Sequence, residues 1–259
     1  MDTPISASVF CAWLLIGMFA SLELGYWIGR RRRRSEPNED REGLSAVQGA
    51  IFALFGLLVA FTFSGAASRF DARRELINQE ANAIGTAYLR LDLLPPASQP
   101  ALRDTFRKYV DSRLEIYRRL QNATAAKQAL ADSSAIQREI WTKAIAASRL
   151  PDAHPDAAKL LLPALNEMID ITATRTMAMR IHPPSIIFYL LFVLAVCCSL
   201  LAGYVMSVNA RRNWLHIFGF VGIIVAATYT ILDIEYPRRG LIQVSAYDHV
   251  LVDLRDSMK

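Results

Sequence analysis

Four runs of apolar residues punctuate a chain whose intervening segments repeat apolar positions at helical spacing. The runs cover about Ser8 to Ile28, Val47 to Ser64, Ile186 to Val208 and Trp214 to Leu232. Each approaches the roughly 20 residues a helix needs to cross the hydrocarbon core of a bilayer. Between the second and third runs, Ile77, Ala81, Ile84, Tyr88 and Leu91 recur at alternating steps of four and three, one apolar seam of a coiled-coil-like helix. Phe63, Ala67 and Phe70 carry the same phase upstream. The second span is therefore predicted to run unbroken into a stalk helix that stops at Pro95-Pro96, where proline removes donors and clashes with helix continuation. Leu102, Phe106, Tyr109, Arg113, Ile116 and Leu120 mark a second helix. Ile136, Ile140, Trp141 and Ala144 mark a third, and Leu161, Leu165, Met168, Ile169 and Thr172 a fourth, lying between His154-Pro155 and Pro183-Pro184. No stretch demands a sheet.

The predicted class is all-α: an integral membrane protein with four transmembrane helices and a helical soluble domain inserted between helices 2 and 3. Its parts are residues 1–64 (helices 1 and 2 with an Arg-rich loop), 65–184 (stalk and soluble helical domain), 185–234 (helices 3 and 4) and 235–259 (a polar C-terminal tail).

Composition supports the lipid reading. A hydrophobic share of 53% over 259 residues exceeds that of most soluble domains. The first run is expected to be a retained span and not a secretory signal, because Asp2 but no Lys or Arg precedes it and the basic cluster Arg30 to Arg34 follows it. Cys11, Cys197 and Cys198 all lie in apolar runs without metal-ligand spacing, so they read as packing residues. The net charge of +5 is expected to set topology and lipid contact, with no nucleic-acid partner. Arg30 to Arg34 and Arg211-Arg212 place both short loops in the cytoplasm, and hence the N-terminus, helical domain and tail outside. Arg69, Arg73, Arg74, Arg175, Arg180, Arg238 and Arg239 flank the spans on the opposite side and oppose that assignment.

Three polar constellations stand out. Arg69, Arg73 and Arg74 follow span two, while Asp233, Glu235, Arg238 and Arg239 follow span four, so with four spans all lie at one membrane face. Carboxylates near an apolar boundary need a cation, which predicts a charged collar. It either fixes span packing or concentrates anions at a pore mouth. Glu80 and Asn82 sit beside small residues of the stalk seam, Ala81 and Gly85, as a packed polar contact or as a ligand site. Glu23 lies inside span one, nearly two turns before Arg30, near enough to the interface to pair there. His154 and His182 precede prolines at helix boundaries and read as caps. Enzyme signatures are missing, from phosphate-cradling glycine loops to G-x-S-x-G and H-E-x-x-H, so no catalytic residue, cofactor or metal is expected.

The stretch "RFDARRELINQEANAIGTAYLRLDLLP", with "LDIEYPRRGLI" late in the chain, resembles a bacterial membrane family described as bestrophin-like, which implies a multi-pass protein of the bacterial inner membrane. "LVAFTFSGAASRF" is similar to the pore helix of bestrophin anion channels, with Ala60, Phe61, Arg69 and Phe70 in matching places. Those channels are pentameric and conduct chloride past a neck of apolar side chains spaced one turn apart. The resemblance implies a homo-oligomer, inorganic anions as the passing species, and a neck formed by Ala53, Leu57 and Phe61. Steps of four place these three on one helix face, and an apolar ring can gate by dewetting. Ala53 is small, the acidic calcium clasp of animal bestrophins is absent, and the resemblance would put the helical domain in the cytoplasm. A non-conducting membrane scaffold or sensor is the other reading.

The charge bias of the short loops yields a topology test. A reporter active only in the periplasm, fused after Lys259, is expected to be strongly active. Silence there with an active cytoplasmic reporter reverses the orientation.

Overall fold

The structure is a computed structural model that describes residues 6–35, 41–119, 123–207, 213–236, 241–242 and 248–258. Among these residues eight α-helices follow in order: α1 Ala7–Ser35, α2 Arg41–Leu89, α3 Gln99–Arg119, α4 Ala123–Ser148, α5 Ala157–Ala178, α6 Ser185–Met206, α7 Trp214–Glu235 and α8 His249–Ser257, with a 3-10 turn Arg90–Leu93 after α2. No strand occurs among the described residues. Among the described residues four helices, α1, α2, α6 and α7, are long and apolar enough to cross a membrane. The chain divides into two compact units. The first takes residues up to Phe70 and from His182 to Ile242, and the second takes Asp71–Ile181 with the C-terminal residues.

In the first unit α1 and α6 lie side by side and parallel. Gly17 faces Phe192 and Val196, Gly25 faces Leu200 and Tyr204, and Gly29 faces Tyr204 and Ser207, so both helices advance together. Their contact is built from small residues at steps of four: Ser21, Gly25 and Gly29 on α1, Ala195, Ser199, Gly203 and Ser207 on α6. A Cβ on Gly25 would land on the Leu200 carbonyl, and one on Gly203 on the Leu22 carbonyl. Backbones therefore touch where a lipid-embedded pair gains packing and hydrogen bonds instead of a hydrophobic drive. Ser21 Oγ crosses the seam to donate to the Val196 carbonyl at 2.8 Å. Leu14, Met18, Leu191, Cys198 and Val221 fill the middle of this unit with Phe55 of α2. Phe10, Cys11, Phe188, Ile231 and Leu232 close one end around Ala66 of α2.

The second unit packs the C-terminal part of α2 with α3, α4, α5 and α8. The whole expected stalk seam, Ile77, Ala81, Ile84, Tyr88 and Leu91, is buried, as are Leu102, Phe106, Tyr109, Ile116, Ile140, Ala144, Leu161, Leu165 and Met168. Leu120 lies outside the described residues.

Three local features differ from the sequence reading. The arginines from Arg30 continue α1 to Ser35 instead of opening a loop, because Arg is a good helix former and the first breaker is Pro37. The stalk does not stay α-helical to Pro95. It tightens after Leu89, since the residue before a proline is driven out of the helical region and Leu94 is extended at φ −89°, ψ 158°. The tail is not plainly polar. α8 seats Leu251 and Met258 in the second unit's core, with Val250 and Leu254 beside them.

The glycine seam gives a stability test. Gly203→Ala forces backbone apart and is expected to lose about 1–3 kcal/mol, read as a lowered unfolding midpoint in detergent. Gly17→Ala meets only the Phe192 ring at 3.3 Å and a methyl of Val196 at 3.4 Å, side-chain atoms that can yield, and should lose far less.

Candidate functional site

Within the first unit, α2 is the least covered span. Only 17% of its apolar window is buried, against 33–39% for the other three. It leans inward through Phe55 and Ala66, with Ile51, Phe52, Leu58 and Val59 half-buried beside them. Ala53, Leu57 and Phe61 all fall on its outward face, with Leu57 51% and Phe61 65% exposed. That face is apolar. Thr62 Oγ1 satisfies itself on the Leu58 carbonyl at 2.7 Å, and a Cβ on Gly56 would meet nothing within 4 Å.

At the end of this span the first unit holds a charged group. Arg69 donates from Nε (2.9 Å) and Nη2 (2.7 Å) to Oε2 of Glu235, and His182 Nδ1 lies 3.0 Å from Oε1. The Glu235 side chain is wholly buried, while Arg69 and His182 stay 30% and 31% exposed. A carboxylate at an apolar boundary thus receives a charge-assisted double hydrogen bond on one oxygen. The His182 ring also lies against Tyr236, centroids 4.6 Å apart. His182 therefore serves Glu235 and does not cap a helix, unlike His154, whose Nδ1 accepts from the Asp156 N–H at 3.1 Å.

The other expected collar residues do different work. Asp233 accepts backbone N–H groups from Leu241 and Ile242 at 2.8–3.1 Å, fixing the chain as it leaves α7. Arg73 belongs to the second unit, is 6% exposed, and donates to the Ala178 and Ile181 carbonyls at 3.3 and 2.9 Å, satisfying the C-terminal end of α5. Arg74 reaches Asp71 at 3.3 Å on its own helix. Arg238 and Arg239 lie outside the described residues.

The second unit buries a larger ionic centre. Glu80 is 0% exposed and accepts from Arg113 Nε at 2.5 Å on one oxygen and from Arg175 Nη1 on the other. Arg175 also donates to Asp248 at 2.8 Å, so α2, α5 and the residue before α8 meet at one guanidinium. Beside it Tyr109, Gln137 and Thr172 form a buried hydrogen-bonded set: Tyr109 Oη lies 2.9 Å from Thr172 Oγ1 and accepts from Gln137 Nε2 at 3.0 Å. Burial alone would raise the Glu80 pKa; Arg113 and Arg175 outweigh it and hold the carboxyl below its ordinary range. Burial pushes the Tyr109 phenol up, which keeps it protonated. Asn82, named with Glu80 from sequence, is exposed and stays out of this centre. Both arginines were visible as signals: Arg113 occupies a seam position, where a charge requires a buried partner. Both oxygens of Glu80 are engaged, and the centre ties α2 to α3 and α5. No group of three His, Cys, Asp or Glu side chains among the described residues could hold a metal ion.

A family model for the bestrophin-like domain matches residues 16–247, and the chain belongs to that family. No curated protein and no solved structure matches it significantly.

The buried centre supplies a test by hydrogen exchange. Glu80→Gln removes the carboxylate that Arg113 and Arg175 share, although Arg175 keeps Asp248, and is expected to lower the opening free energy of α3 and α5 amides by about 3–5 kcal/mol. A depressed carboxyl stabilises above its unfolded value, so this contribution is full above pH 4.5 and lost as pH falls through the lowered folded value. The acid transition should flatten in Glu80→Gln.

Proposed function

We propose that the chain is one subunit of a homo-oligomeric anion channel in a bacterial inner membrane. In this reading the first unit spans the bilayer and the second is a water-exposed helical domain inserted between spans α2 and α6. Copies assemble so that the outward face of α2 surrounds a common axis, with Leu57 and Phe61 forming an apolar neck and Ala53 leaving it wider. The observation that carries the reading is the outward face of α2 itself. It is apolar along its length, spaced one turn per ring, and left uncovered by the other spans of its own subunit. An ion entering such a ring loses hydration without replacement, so the neck is closed when dry and conducts when wet. Family membership supports the class, and chloride is the ion expected of it.

Purified protein in liposomes tests this. Phe61→Ala should widen and wet the ring and raise chloride flux several-fold over the native protein. Val59→Ala alters a residue that packs inward and should change flux little. If native and Phe61→Ala proteins, folded and oligomeric, are both tight to chloride, bromide and iodide, the channel reading fails and a non-conducting scaffold takes its place. Equal leakage through both variants would assign the wrong face of α2 to the pore.

A further inference from the structure

We propose that the C-terminal end of α1 binds the headgroup of an acidic phospholipid, with Arg30 and Arg31 on its phosphate and Trp27 against its acyl chains. The site is independent of whether α2 conducts.

Depth comes first. Gly29 packs against Ser207, the residue that caps the C-terminal end of α6. Two parallel spans therefore end at one level. From Ala7 to Gly29 the helix rises roughly 33 Å at 1.5 Å per residue, close to the thickness of the hydrocarbon core. Arg30 is thus the first residue at headgroup depth.

Orientation comes next. α1 remains helical through the arginines, so the side chains of Arg30 and Arg31 lean back toward the helix N-terminus and the hydrocarbon. Arg31 lies over the Trp27 ring at 5.1 Å and Arg30 over the Tyr26 ring at 5.8 Å, each on the aromatic one turn before it. A guanidinium held over a ring by cation–π attraction still has N–H groups with which to grip a phosphate in two hydrogen bonds. The contact also orders the arginines before a ligand arrives.

The apolar half of the ligand is specified by the same helix. Leu24, Trp27 and Ile28 are 49%, 56% and 37% exposed directly beneath the two arginines. A soluble anion would leave that surface unused, whereas a phospholipid covers it with its chains. The run Arg30 to Arg34 selects for net negative headgroups, since each basic residue near the surface favours an acidic lipid about five-fold.

The test uses the intact protein in neutral phosphatidylcholine nanodiscs. These contain a small, equal fraction of phosphatidylglycerol or phosphatidylcholine with brominated chains. The Trp27 fluorescence is isolated by subtracting Trp27→Phe. Brominated phosphatidylglycerol should quench Trp27 several-fold more than brominated phosphatidylcholine. Arg30→Gln with Arg31→Gln should cut the difference several-fold, while Arg32 to Arg34 maintain the charge bias for insertion and a residual preference. Equal quenching by the two lipids in the native protein overturns the proposal, as does a preference untouched by the double substitution. If inorganic phosphate at constant ionic strength removes the preference, the guanidiniums hold a soluble anion and the lipid assignment fails.

Discussion

A carboxylate beyond the reach of water must be given a cation or N–H donors, and among the described residues two wholly buried ones are held by arginine. Glu235 and Glu80 are both wholly buried, one in each compact unit, and both are bound by arginine. Left alone, either would carry a desolvation penalty of several kcal/mol per ion. α2 contributes to both solutions, Arg69 to the first and Glu80 to the second. The length of this helix follows from that double duty. It must be lipid-compatible around Phe55 and rich in charge around Glu80, with no break between.

The two centres are built for different ends. Glu80 has both oxygens taken by arginines from α3 and α5, and Arg175 passes the link on to Asp248. Well-packed apolar residues could stabilise such a core equally well, so the triad's use is in specifying register among α2, α3, α5 and the start of α8. Glu235 differs in having half-open partners. Arg69 and His182 are each about a third exposed, so this ion pair stays in contact with its surroundings where the Glu80 centre does not.

Much of this was legible in the sequence. Spans and seams are readable because burial repeats with the helix period, and every apolar residue of the stalk seam is buried. The Glu80 contact was readable as a packed polar contact, though its arginine partners were not assigned. What stayed hidden depends on backbone approach and on chain reversal. Ser21, Gly25 and Gly29 carry no hydrophobic signal, so the α1–α6 seam is invisible until two backbones are brought together. Asp233 was grouped with the arginines because sequence cannot show that the chain doubles back to offer it two N–H groups. Arg30 to Arg34 were assigned to a loop on charge alone, although nothing before Pro37 breaks a helix. The amphipathic pattern of α8 was short enough to pass as polar.

Acyl chains can also cover an apolar face such as that of α2, so side-chain size adds to what its exposure shows. Advancing about 100° per residue, α2 places Leu57 and Phe61 on one flank of its outward face and Gly49, Gly56 and Ala60 on the other, with Ala53 between. A glycine inside a helix destabilises it by roughly 0.5–1 kcal/mol relative to alanine. Gly49 and Gly56 meet nothing within their own subunit. Small residues at steps of three and four are what another helix needs for close approach, and acyl chains gain nothing from them. In the proposed assembly the glycine flank receives a neighbouring subunit, and this contact turns the bulky flank toward the axis. Ala53, at the boundary between flanks, is then small because it lies at the edge of the helix contact, which accounts for the widening of the neck at that level.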